Sequence, residues 1–170
     1  MIAQRVLAVA AAATLGVDAY VHFHDAGFYD SVKSSTISQG TLFRVEAALA
    51  VAVGLALLVR PRRRIPWAAA LLVAASAFGA VMLYRYVDIG ALGPLPNMYE
   101  PTWVSPGKLT SAWAEGTGTV IAVIGLLVAT YTHNNHQPPA EQPERSHLGG
   151  LNTHSPSDPR IAPATATSLQ

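Results

Sequence analysis

Four long apolar runs, each parted from the next by a polar link, constrain this chain more than any other feature. They cover about residues 6–23, 42–59, 65–87 and 109–131, and each approaches the roughly 20 residues that a helix needs to cross about 30 Å of hydrocarbon. Of the 170 residues, 51% are hydrophobic and 12% charged, about half the charge density of an ordinary soluble domain. The predicted fold is all-α: a four-helix transmembrane bundle over residues 1–131, followed by a tail over 132–170. That tail is rich in proline, histidine, serine and threonine, Pro138, Pro139 and Pro143 among them. It has too few large apolar groups to offset the entropy of ordering, and is predicted to be disordered. Its histidines, His133, His136, His147 and His154, lack regular metal-ligand spacing.

Arg60, Arg62, Arg63 and Arg64 crowd the short link between the second and third runs. Under the positive-inside rule such a cluster stays cytoplasmic. The expected protein is therefore a multi-pass protein of the plasma membrane, with both termini cytoplasmic and the segments 25–40 and 88–108 outside. Pro66 suits the first turn of a helix, and Trp67, Tyr84, Tyr86 and Trp113 fall where aromatic belts meet the interface. The first run has a second reading: Arg5, the apolar stretch and Val17-Asp18-Ala19 also resemble a secretory signal peptide with a small-residue cleavage site. Cleavage would leave three spans in the same orientation.

The chain has no cysteine, which removes disulfides, thiolate metal sites and dithiol redox chemistry. A net charge of +1 points to no nucleic-acid partner. The expected partners are the lipid bilayer and either another membrane protein or a second copy of the chain. Arginine far outnumbers lysine, which occurs only at Lys33 and Lys108, a bias in keeping with a high-GC bacterial genome.

Polar residues interrupt the runs at similar depths. At 1.5 Å per residue, Asp18 and Glu46 fall roughly 10 Å below the outer boundary, His22, Arg44 and Glu115 roughly 5 Å below it, and Arg85 near the surface. Asp18, His22 and Asp25 share one helix face, as do Ser111, Glu115 and Thr119. A charge facing lipid costs several kcal/mol, so these groups are expected to turn inward. The six residues Asp18, His22, Arg44, Glu46, Arg85 and Glu115 are thus predicted to form an outer polar layer that binds a ligand or holds the helices together. Arg44 and Glu46, two apart, leave their helix on different faces and are not expected to pair.

Several chemistries compete for such a layer. Its carboxylates and histidine offer ligands to a divalent metal, but the Glu-x-x-His pairs of di-iron bundles are missing, and a structural zinc site prefers more nitrogen or sulfur. Haem is disfavoured because His22 and His24 lie at one membrane face and His133 and His136 at the other. Transport needs a path inward, whereas the inner halves offer only the hydroxyls of Thr14, Ser76, Thr117 and Thr119. The pair Ala75 and Gly79 has the small-residue spacing that permits close helix packing. The outer segment 88–108 holds four prolines with Met98, Tyr99 and Trp103, so it is expected either to cover the bundle mouth or to rest on the lipid surface.

His22 followed by "DAGFYD", then Ile37, Gly40 and Leu42-Phe43 leading to Glu46, with Glu115 in the last run, gives the chain a likeness over about residues 6–131. It resembles small four-helix actinobacterial membrane proteins that look loosely like the DoxX group. Most of those relatives have no assigned activity, and the founding DoxX proteins are membrane subunits associated with quinone reduction. The resemblance therefore implies a quinone as the cofactor to consider first. The glycine-plus-lysine ending of the DoxX first helix is missing, so His22, Glu46 and Glu115 carry over as positions and not as roles. Three functions follow as expectations: a non-enzymatic or accessory membrane protein with an outer polar pocket; a quinone-linked redox subunit; and, disfavoured by the apolar inner halves, a transporter or channel component.

Overall fold

A computed structural model describes residues 2–105 and 107–134. The four apolar runs form four helices: α1 (Ile2–Asp25), α2 (Gln39–Val59), α3 (Arg64–Tyr86) and α4 (Lys108–Asn134). A 3-10 turn, Phe28–Ser31, follows α1. All four helices are long and apolar enough to cross a membrane, which marks the chain as a small multi-pass membrane protein. The helices start or end up to four residues beyond the apolar runs, because polar residues such as Gln4, Arg5 and Gln39 continue a helix once its neighbours support it. The expected tail, with His136, His147 and His154, lies outside the described residues beyond Asn134.

Local chemistry sets several helix ends. Ser38 precedes α2 in an extended conformation and its hydroxyl accepts the Thr41 amide at 3.0 Å, the usual serine cap. Pro66 sits in the first turn of α3, where no intrahelical amide is required. Between α2 and α3 the chain turns tightly, with the Arg60 amide on the Ala56 carbonyl at 2.9 Å and the Arg63 amide on the Arg60 carbonyl at 3.1 Å.

The helices run alternately up and down in a ring in which α1 meets α2 and α4, α3 meets α4, and the α2–α3 contact is the least extensive of the neighbouring seams. Small residues fill those seams: Ala8, Ala11, Ala47, Ala50, Ala70, Ala74, Ala122 and Ala129 are all buried, alongside Leu15, Leu57 and Trp67. The larger apolar side chains point the other way, Leu72 being 71% exposed and Leu127 65%. A water-soluble bundle would waste that apolar surface, whereas lipid tails solvate it without penalty. α1 supplies Ala8, Ala11, Leu15 and Ala19 to the core, so the run with the signal-peptide reading is an integral wall of this bundle.

Two expectations change here. Trp67 is fully buried, donating its indole N–H to the Pro61 carbonyl at 2.7 Å, and is not an interfacial belt residue like the exposed Tyr86 and Trp113. The reason is Gly125: a Cβ there would collide with the Trp67 ring, so the missing side chain makes the slot. Gly79, in contrast, is exposed and a Cβ on it meets nothing within 4 Å. The Ala75 and Gly79 pair is therefore not a contact within this bundle; Gly54 against Ala12 and Gly118 against Thr14 are.

Gly125→Val is expected to lower the thermal midpoint of the detergent-solubilised protein, at a cost of about 1–3 kcal/mol from overpacking. Gly79→Ala should leave the midpoint unchanged or raise it, since alanine is the better helix former. Equal effects from the two substitutions would contradict the seating of Trp67 on Gly125.

Candidate functional site

The end of the bundle that carries the α1–α2 and α3–α4 connections holds the polar residues. α1 and α4 bring Asp18, His22, Ser111 and Glu115 into one buried cluster, each less than a tenth exposed. His22 lies one turn beyond Asp18, and its Nδ1 is 2.9 Å from Asp18 Oδ1 and 3.1 Å from the Asp18 carbonyl. The opposite nitrogen, Nε2, faces Glu115 Oε1 at 3.9 Å. Ser111 Oγ bridges the helices, 3.1 Å from Asp18 Oδ1 and 2.5 Å from Glu115 Oε1. The His22 ring is held edge-on by Phe43 of α2, centroid to centroid 4.7 Å.

Among the described residues, Asp18 Oδ2 and Glu115 Oε2 are buried without a hydrogen-bond partner, and so is Glu46 Oε1 on α2. Glu46 is close enough to Asp18 and His22 to feel their charge. The cluster therefore gathers two carboxylates around one imidazole, with Glu46 nearby, in a region of low dielectric, where an unpartnered polar atom costs about 1–3 kcal/mol or more.

Beside the cluster lies a cavity of about 350 Å³ between the helices. Its walls are mostly apolar, with Leu42, Ala77, Ala80 and Val81 among them, while His22, Glu46 and Ser111 supply a polar side. That volume and that mixture, apolar walls with a few placed polar groups, are those of small-molecule sites. Asp25, expected on the face of Asp18 and His22, is buried and also lines the cavity.

The predicted layer of six divides. Asp18, His22 and Glu115 come together with Glu46 nearby. Arg44 does not join them: it turns outward and grips Asp30 with two hydrogen bonds, 2.8 and 2.7 Å, on the exposed surface. Arg85 stands apart as well, its guanidinium over Tyr86 at 5.1 Å and over Trp103 at 5.4 Å. Depth alone grouped these residues, and the direction in which each side chain leaves its helix separates them.

Sequence reasoning missed the residue that closes the site, Glu100. Its amide donates to the Tyr84 carbonyl at 3.0 Å, its carbonyl accepts Lys108 Nζ at 2.6 Å, and its carboxylate accepts Tyr29 Oη at 3.1 Å and the Ser105 hydroxyl. Ser34 also reaches across to the Pro94 carbonyl at 2.7 Å, joining the two connections. The described part of the connection, residues 88–105, thus lies over the bundle mouth, with Met98 and Glu100 on the cavity. A lone glutamate within a proline-rich segment was the available signal. Burial, with the Glu100 charge adding to it, pushes the Tyr29 phenol up to about 12. The stabilisation tied to its protonated form is complete below its ordinary 10.0 and is lost as pH rises through about 12.

Near the middle of the helices three hydroxyls turn back on their own helices. Thr14 bonds the Ala11 carbonyl and Ser76 the Val73 carbonyl, while Thr119 bonds that of Glu115. No protein family, curated protein or solved structure matches the chain.

The Arg44 hydrogen bonds outweigh an opposing desolvation and, with the Arg44 charge and the Ser38 hydroxyl adding to them, hold the Asp30 carboxyl below the usual carboxylate range. Stability from this pair is therefore present above the ordinary aspartate pKa and is lost as pH falls through the depressed one. Arg44→Gln is expected to move the Asp30 titration, followed by carboxyl carbon NMR, back up to the ordinary range. An unmoved midpoint would contradict the pair.

Proposed function

We propose that this chain is a plasma-membrane protein with Arg60, Arg62, Arg63, Arg64 and both termini on the cytoplasmic side, acting as a ligand-binding or accessory subunit and not as an enzyme. The cavity carries this reading. A largely apolar molecule with one polar end matches its lining, the apolar part against Leu42, Ala80 and Val81 and the polar end towards His22 and Ser111. Such a ligand reaches the site through the outer leaflet or past the Glu100 connection. The hydroxyls of Thr14 and Ser76, bonded to their own helices, offer little to a conducted ion, which weighs against a channel.

The same geometry favours a quinone as the first ligand to try. A quinone pairs a carbonyl-bearing ring with an apolar tail, and His22 and Ser111 are donors of the kind a carbonyl oxygen accepts. This is also the direction of the loose DoxX likeness. In that role the protein supplies a binding site and a proton-carrying imidazole, and electrons come from a partner oxidoreductase.

Lipids extracted from the gently purified protein, assayed against detergent micelles alone, are expected to contain one enriched apolar species at close to one per chain. Ala80→Trp, which fills the cavity from its wall, should abolish that enrichment at unchanged helix content. Retention of the species by the filled variant would move ligand binding elsewhere on the chain.

The orientation has its own check. Since the chain has no cysteine, Thr36→Cys and Asn97→Cys each introduce a unique thiol on the two-loop end. Both should react with a membrane-impermeant maleimide in intact cells, and Arg63→Cys only after permeabilisation. The reverse pattern would overturn the orientation.

A further inference from the structure

We propose that Asp18, His22 and Glu115 form a binding site for one divalent first-row transition-metal cation. Three observations converge on it. The first is geometry: one ligand atom from each of these three side chains lies within 4.8 Å of the others, on two helices packed side by side, and all three residues are buried. Ligands of a single Zn2+ sit about 3.0–3.5 Å apart, from bond lengths near 2.1 Å. Side-chain rotation of an ångström or so closes the set. One imidazole with two carboxylates is a mixed nitrogen and oxygen set of the kind that zinc, iron and manganese accept.

The second observation is the state of the donors. Asp18 is 1% exposed and Glu115 2%, yet Asp18 Oδ2 and Glu115 Oε2 have no hydrogen-bond partner among the described residues. Ser111 has one hydroxyl proton for two carboxylate oxygens, so it satisfies one of its contacts as donor and not both. His22 is arranged as a metal-bound histidine usually is. With the proton on Nδ1 it donates to the Asp18 carbonyl, and Nε2 presents a lone pair towards Glu115, while the Asp18 carboxylate, 2.9 Å from Nδ1, would turn from that nitrogen to the metal.

The third observation is charge. Arg44 is paired with Asp30, Lys108 with Glu100, and Arg85 lies over Tyr86 and Trp103, so none of these three is paired with Asp18 or Glu115. Asp18, Glu115 and nearby Glu46 are left with one imidazole between them. A divalent cation held by Asp18, Glu115 and a neutral His22 cancels two negative charges at once and occupies both orphaned oxygens. Protons on the carboxylates are the competing way to balance the charge. This inference stands on the three side chains alone; a metal on His22 Nε2 leaves the imidazole no proton for a ligand in the neighbouring cavity, so Ser111 and not His22 would face such a ligand while the metal is bound.

The test uses the full chain, purified with a histidine-free tag, with His133, His136, His147 and His154 changed to glutamine so that those histidines do not compete. Co2+ is the spectroscopic probe and Zn2+ the competitor. The expected result is saturable binding of one Co2+ per chain, with visible absorption bands that Zn2+ displaces. Affinity should fall at least 100-fold in Asp18→Asn, Glu115→Gln and His22→Gln, and be unchanged in Arg44→Gln. Because the site variants also remove interhelical bonds, their helix content is checked by circular dichroism. Independently, Zn2+ at increasing concentration should raise the thermal midpoint of the protein with Asp18, His22 and Glu115 intact. The proposal is overturned by Co2+ binding that does not saturate near one per chain, by equal affinity in the Asp18→Asn, Glu115→Gln double variant, or by a midpoint that Zn2+ leaves where it was. That last outcome would assign the buried carboxylates to protonated, helix-joining hydrogen bonds.

Discussion

Close approach between helices is the constraint on which this structure rests. In hydrocarbon a leucine gains nothing by turning inward, because lipid tails are as apolar as the protein interior, so association comes from dispersion between well-fitted surfaces and from the few polar contacts available. The chain meets that requirement with alanine. Ala8, Ala11, Ala50, Ala70, Ala122 and Ala129 bring the backbones together, and Trp67 fills the slot that Gly125 opens. Leu72, Leu127 and Ile65 stay outside as solvated surface.

The seams vary, and the variation places the site. Where α1 meets α4, small residues give way near the two-loop end to Asp18, His22, Ser111 and Glu115, so the polar contacts replace dispersion along one stretch of the same seam. Where α2 meets α3 the packing is least extensive, and the cavity forms there. A buried carboxylate at the end of an alanine-lined seam is costly unless matched. The matching in this bundle is uneven: Ser111 and His22 satisfy one oxygen of Asp18 and lie against one oxygen of Glu115, and leave the others bare.

The sequence disclosed the number and approximate limits of the helices because hydropathy over twenty residues is a sum of many like terms, insensitive to any one of them. It also disclosed that Asp18, His22 and Glu115 share a depth, since depth follows from counting. It disclosed that Arg44 and Glu46 leave α2 on different faces, and not which of those faces meets the bundle. Arg44 and Glu46 are at similar depths on one helix, yet the first reaches solvent and Asp30 while the second lines the cavity. Trp67 was unreadable for a related reason: only a neighbour without a side chain, 58 positions along at Gly125, makes room for it. Glu100 was missed because its partners, Tyr29, Tyr84, Ser105 and Lys108, come from four different parts of the chain.

The convergence of those partners on a single residue has a mechanical meaning. Glu100 binds through its amide, its carbonyl and both carboxylate oxygens, to α3, to α4, to the turn after α1 and to its own connection. Bonds in parallel share a load, and none opens far while the rest hold. The connection over the cavity is therefore held most heavily at Glu100, with the Ser34 hydroxyl on the Pro94 carbonyl as a second tie, and small fluctuations leave it shut. How often those bonds open together is a quantity that equilibrium affinity does not report and that exchange kinetics do.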